Sequence, residues 1–133
     1  MGTEDYPGTP LNRVQIVKGW LDLEGNMNQK VFDIAGGSSE ASSLNTDTCL
    51  RDGGGSTSLC GQWTDPEWNP SQSAFYYARV LEEPSCRYHT YLCNQIPDTE
   101  ERPPSCSGEK LPLSIQERAW SSPIWVAPGE DAP

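Results

Sequence analysis

Apolar side chains in this chain recur at alternate positions, not at the three-and-four spacing of a helix. The run Arg13-Val-Gln-Ile-Val-Lys-Gly-Trp-Leu21 is β-branched and places Val14, Ile16 and Trp20 on one face of a strand. Asp22 to Met27 reads as a turn in which Gly25 and Asn26 tolerate positive φ. Gln29 to Ala35 then returns as the second strand of a hairpin. Ala74 to Glu82 carries the strongest strand pattern. Phe75, Tyr77 and Leu81 face one way and Tyr76, Ala78 and Val80 the other, which predicts a central strand with both faces at least partly covered. A third strand is expected at Ser58 to Thr64, and two late ones at Leu113 to Ala119 and Ile124 to Ala127, parted by Ser122-Pro123. No window repeats apolar residues at i, i+3, i+4 and i+7 over three turns, so little helix is expected.

The segments between these strands set the organisation. Residues 1–10 read as an extended N-terminal arm, 11–127 as a single β domain, and 128–133 as a loose tail. Gly36 to Asp47 is a polar stretch expected as a mobile loop or irregular edge. Asp65-Pro66 and Asn69-Pro70 each push the residue before proline out of helical space and stiffen the approach to the central strand. Pro84 to Gly108 is an excursion rich in cysteine and proline. Six short antiparallel strands predict a mainly β fold, either a small sandwich or one curved sheet, with no internal repeat.

Composition makes this core thin. Hydrophobic residues are 35% of 133, and twelve glycines and twelve prolines favour loops. Five cysteines without a C-x-x-C pair read as disulfide staples, not as a zinc site. Cys49 and Cys60 flank the flexible loop Leu50 to Leu59 and form the preferred pair. Cys86, Cys93 and Cys106 leave one thiol over; Cys93–Cys106 is the expected bridge, with Cys86 free. Disulfides imply an oxidising compartment, periplasmic, cell-surface or extracellular. The start of the chain has no secretory signal pattern, so a removed leader or a larger parent protein is expected.

A net charge of -10 repels phosphate backbones and anionic membrane surfaces, which argues against nucleic-acid partners. No apolar run is long enough for membrane insertion. His89 is the single histidine, so a site needing two imidazoles is excluded, and a packed or surface role is the expectation. Neither a nucleophile elbow nor a phosphate-cradling loop is present, and no catalytic or metal-ligating residue is assigned. Asp22, Glu24 and Asn26 alternate as oxygen ligands able to grip calcium, although an ordinary hairpin turn explains them better. Trp63 and Trp68 flank a proline turn and are the candidate ligand or interface aromatics. Packing is the preferred role for the aromatics as a group.

Four segments, Leu11 to Asp22, Trp63 to Glu82, Pro84-Ser-Cys-Arg87 and Ile115 to Trp125, follow one another in an order that resembles the C-terminal region of the domain-of-unknown-function 3604 family. The resemblance implies a large exported bacterial parent whose N-terminal part is similar to metal-dependent hydrolases. The histidines and carboxylates of that part have no counterpart here, so no activity transfers to any residue of this chain. Three roles follow as expectations. The chain is a non-catalytic β module packing on a missing catalytic domain, with an apolar sheet face left exposed. Alternatively it is an extracellular structural subunit that self-assembles by strand pairing through residues 1–11. The third role is a carbohydrate-binding module using Trp63 and Trp68.

Overall fold

The computed structural model describes residues 1–5, 8–37, 42–97 and 99–128. Their strands are β1 (Gly2–Thr3), β2 (Leu11–Leu21), β3 (Met27–Gly36), β4 (Leu44–Asn45), β5 (Leu50–Arg51), β6 (Ser58–Leu59), β7 (Ala74–Glu82), β8 (Ser85–Cys86), β9 (Ser114–Ile115), β10 (Arg118–Trp120) and β11 (Ile124–Val126). Helix α1 (Tyr88–Asn94) and a 3-10 turn at Pro104–Cys106 lie in the excursion. The fold is mainly β and antiparallel, as the alternation predicts.

Three long strands form the main sheet in the order β7-β2-β3, and β10 and β11 share the outer edge of β7. Trp120 lies opposite Arg79 and Ile124 opposite Tyr76, so the two late strands are one edge strand interrupted at Ser121 to Pro123. Proline has no N–H to donate, and the chain bulges before it. Ser121 bridges the gap: its N–H donates to the Ala78 carbonyl at 3.0 Å, and its hydroxyl accepts from the Ala78 N–H at 2.9 Å. β7 is a central strand, and β2, paired on both sides, is the most buried.

The hairpin turn between β2 and β3 is organised by one carboxylate. Asp22 Oδ1 accepts from the N–H groups of Glu24 at 3.0 Å and Asn26 at 2.8 Å, and Gly25 supplies the positive φ of 85°. Asp22 Oδ2 accepts from Asn26 Nδ2 at 3.1 Å and from Asn28 Nδ2 at 3.4 Å. The contacts with Asn26 outweigh the small cost of desolvation and hold the Asp22 carboxyl below its ordinary pKa.

Pairing sorts the side chains onto two faces. Val14, Ile16, Lys18 and Trp20 share one face with Phe32, Tyr76, Ala78 and Val80. A thin second layer covers its middle: β1 pairs with β6, Gly2 comes against the Val80 methyls, and Trp63 packs at a tilt against Phe32 and Tyr76, leaving Ile124 exposed at the edge. Val17, Gly19 and Leu21 share the opposite face with Val31, Phe75, Tyr77 and Trp125.

Several expectations need correction. The strand expected at Ser58 to Thr64 stops at Leu59, since the chain then turns inward to seat Trp63 and Asp65 on the sheet. Within the arm, Gly2–Thr3 pair with Ser58–Leu59 and Glu4 N–H donates to the Thr57 carbonyl at 2.8 Å. The excursion holds a seven-residue helix, too short to leave a periodic signal in the sequence. Expectations for residues 38–41 of the polar loop, for Tyr6 and Pro7 of the arm, and for residues 129–133 of the tail lie outside the described residues.

The cysteine pairing differs most. Cys49 is bonded to Cys86, Cys93 to Cys106, and Cys60 is the free, exposed thiol. The expected Cys49–Cys60 bridge fails because the residues between them do not form a closed loop. β4 and β5 make a small hairpin whose turn carries Cys49, at φ 56°, toward β8. Gly53, Gly54 and Gly55, all at positive φ, then redirect the chain so that Ser56 bridges Leu11 and β6 joins β1. Cys60 is thereby drawn to the layer over the sheet.

Candidate functional site

Two places concentrate chemistry: a buried polar cluster on the covered face and an aromatic trough on the open one. The first is built around Lys18, in the middle of the most buried strand. Its ammonium donates to Asp65 Oδ2 at 2.6 Å and to the Glu67 carbonyl at 2.9 Å. Both side chains of this ion pair are sealed, with 3% and 7% of their surface exposed. The Tyr76 hydroxyl donates to the same Asp65 oxygen at 2.7 Å, and the Lys18 ammonium lies 4.9 Å from the Trp20 ring centre. Lys30 pairs with Glu67 at the rim.

Sequence explains this placement locally. Asp65 Oδ1 accepts from the Glu67 N–H at 2.9 Å, so the turn at Asp65-Pro66-Glu67 closes on its own carboxylate and aims the other oxygen at the sheet. Trp63 packs 4.7 Å from Phe32 and 6.0 Å from Tyr76, centre to centre, and shields the pair from water. Burial alone would raise the Asp65 pKa; hydrogen bonds from Lys18, Tyr76 and Glu67 outweigh it and hold the carboxyl below its ordinary value. Burial and the neighbouring Asp65 charge push the Tyr76 hydroxyl far above its ordinary value. An ionised carboxylate and a firmly protonated phenol, both committed to partners, make a clamp that fixes the turn to the sheet.

A second buried carboxylate acts similarly at the sheet end. Glu83 accepts from Asn12 Nδ2 at 2.8 Å and from the Ser42 N–H and hydroxyl at 2.7 and 2.8 Å. Burial raises its pKa, but these donors prevail and the net shift is downward. Next to it, Glu82 is shifted upward by burial and by the charges of Glu117, Asp5 and Glu4.

The open face is different in kind. Gly19, Leu21, Met27, Phe75, Trp125 and Ala127 line a trough of about 760 Å³ at its hairpin end. A side chain at position 19 would collide with the Phe75 ring, which lies across the glycine backbone. Phe75 stacks parallel to Tyr77 with ring centres 6.4 Å apart and packs on Trp125 at 5.1 Å. Around it Met27 is 89% exposed, Trp125 73%, Trp120 57% and Val31 43%. Toward the other end a polar ladder takes over: Arg79 Nε donates to Gln15 Oε1 at 2.8 Å, Gln15 Nε2 to Asp33 Oδ1 at 2.6 Å, and Arg13 pairs with Asp33 at 3.2 Å.

The residues singled out from sequence are scattered. Trp63 is packed into the clamp while Trp68 stands out at the surface, so the two form no joint platform. Asp22 and Glu24 accept hydrogen bonds within the hairpin turn, the side-chain amide of Asn26 donating to both, and no cluster of three ligating side chains occurs among the described residues. His89 lines a groove with Arg87 and Glu117, its Nε2 buried without a hydrogen-bond partner among the described residues. Lys18, Asp65, Tyr76, Phe75 and Trp125 were not assigned roles from sequence. A lysine inside Val14 to Trp20 was the one signal for the clamp, because a buried ammonium requires a carboxylate.

No curated protein and no solved structure matches the chain. The family described as "Protein of unknown function (DUF3604)" matches over residues 1–128. The sequence order of strands, clamp turn and late edge strand all falls within that span, and the chain belongs to the DUF3604 family.

Proposed function

We propose that this chain is a non-catalytic β module of an exported protein, and that it packs through the open face of its main sheet against another polypeptide surface. The observation that carries this is the asymmetry of burial across one sheet. Trp125 and Met27 remain largely exposed at a mostly apolar trough, and Trp120 further along the same face, while the middle of the opposite face is covered by the chain's own Trp63 and Asp65 segment and leaves Ile124 exposed at its edge. A contiguous apolar patch of this kind marks an interaction surface. Two disulfides support export to an oxidising compartment, and no described helix is long and apolar enough to cross a membrane.

Strand-pairing assembly has one observation in its favour: among the described residues β3 pairs on one side only. Lys30 and Asp33 on that strand work against edge-to-edge growth, as charged edge residues do. Face packing is therefore the better reading. Hydroxyl-radical oxidation of tryptophans in the protein from its native source tests it, with the isolated chain as reference. Trp125 and Trp120 are expected to be protected in the native protein and reactive in the isolated chain, with Trp68 reactive in both. Equal reactivity of Trp125 in the two samples would remove the proposal.

A further inference from the structure

The clamp on the covered face holds a nucleophile against an acyl carbon. Lys18 Nζ lies 2.6 Å from Asp65 Oδ2, and the two side chains keep only 3% and 7% of their surface exposed. A nitrogen in hydrogen-bond contact with a carboxylate oxygen is roughly 3.5 Å from the carboxylate carbon, the separation of a near-attack arrangement. The other atoms of the group are also held. The Glu67 carbonyl accepts from the Lys18 ammonium at 2.9 Å and fixes the nitrogen. The Glu67 N–H donates to Asp65 Oδ1 at 2.9 Å, where it would stabilise negative charge building on that oxygen. The Tyr76 hydroxyl donates to Oδ2 at 2.7 Å, and its raised pKa keeps the phenol in the donor form. One carboxylate oxygen thus meets a backbone donor and the other a phenolic one.

Burial drives the chemistry in one direction. Two charges kept from water are costly even when paired, and a neutral amide in their place removes both. The rings of Trp20, Trp63 and Tyr76 surround the pair and keep out the water that the reverse hydrolysis needs. We infer that Lys18 and Asp65 condense into an intramolecular isopeptide bond, a covalent staple between β2 and the turn Asp65-Pro66-Glu67. One proton passes from the Lys18 ammonium to Asp65 Oδ2, and the neutral amine attacks the carboxyl carbon to form the C–N bond. A second proton leaves the nitrogen for Oδ2, the bond from carbon to Oδ2 breaks, and one water departs. The nitrogen keeps a single N–H as an amide, and no oxidant or reductant enters the balance. Hydrogen bonds favour the ionised Asp65 carboxylate, so the neutral pair is scarce and closure is slow beside folding. The freshly folded chain therefore carries the ion pair, and the bond accumulates with age. Its place in the fold suits a staple. Residues 60–73 contain no strand and no disulfide-bonded cysteine, and the bond ties this stretch to a strand 47 positions earlier.

Mass spectrometry of the reduced, denatured polypeptide tests this, on the protein from its native source and on the isolated chain aged at neutral pH after folding. The expected result is the loss of one water, mapped by digestion to a branched peptide that joins Lys18 to Asp65 and resists trypsin at Lys18. Lys18→Arg keeps the charge, forms no amide, and should retain the full mass. Tyr76→Phe should slow closure by about 10²-fold, and an unchanged rate would overturn the part given to Tyr76. The full mass in both samples, with trypsin cutting after Lys18, would overturn the inference. A water loss mapped only elsewhere, such as a succinimide at Asp52-Gly53, would overturn it equally.

Discussion

One sheet, built from the same strands, carries a face that the chain finishes and a face that it leaves open. On the finished face, Lys18 and Tyr76 meet Asp65, and Trp63 closes over them. On the open face, Phe75 lies over Gly19 and packs at a tilt against Trp125, with solvent beyond. The difference shows what each set of side chains is for. Buried charge on the finished face fixes the register of a loop that has little other regular structure. Exposed aromatics on the open face contribute little to this fold alone and retain their apolar surface for another contact.

Breaking the disulfides should have the largest effect. Cys49–Cys86 spans 37 positions, and replacing both by serine should cost about 4 kcal/mol in the chain-entropy treatment. Urea unfolding of the oxidised proteins measures this; Cys60→Ser, by contrast, should leave the midpoint unchanged, since Cys60 is free and exposed.

Opening the sealed face comes next. Asp65→Asn leaves the buried Lys18 ammonium without its counter-charge and should cost about 3 kcal/mol. Tyr76→Phe removes one hydrogen bond to the same oxygen and should cost about 1 kcal/mol.

Acid should attack this face selectively. The folded pKa values of Asp65 and Glu83 are depressed, so below their ordinary values, 3.8 and 4.5, the unfolded chain binds more protons than the folded one. Their stabilisation is complete above that range and is lost as pH falls through the depressed folded values. Glu82, shifted upward, acts in the opposite sense and offsets part of the loss. Chemical denaturation from pH 6 downward, compared between the parental chain and Asp65→Asn, should show a shallower acid limb in the variant.

Changes on the open face should be milder. Gly19→Ala drives a methyl into the Phe75 ring and should cost about 1 kcal/mol, with loss of the Phe75–Trp125 contact visible in near-ultraviolet circular dichroism. Trp125→Ala in the isolated chain should change stability by less than about 0.5 kcal/mol.

The strands were legible in the sequence to the extent that alternation is a local property. Val14 to Trp20 and Phe75 to Leu81 declare their two faces by parity alone, and Ser122-Pro123 declares the interruption in the edge strand. Which face would be sealed was not legible, because the decision rests on Trp63 and Asp65 folding back over residues distant in sequence. The cysteines show the same limit. Short spacing favoured Cys49–Cys60, but Gly53 to Gly55 turn the chain away and Cys86 arrives from beyond the central strand. Helix α1 was hidden because its seven residues are too short for a periodic signal, and the Cys93–Cys106 bridge ties it to the 3-10 turn.

The central claim is that the open face is finished by another polypeptide, and one substitution in two contexts tests it most directly. Trp125→Glu places a carboxylate on an exposed position of the isolated chain but within the contact in the protein from its native source. Thermal unfolding of both is the measurement. The account predicts an unchanged melting temperature for the isolated chain and a clear drop for the native protein. Equal melting shifts in the two contexts, or none in either, would contradict it.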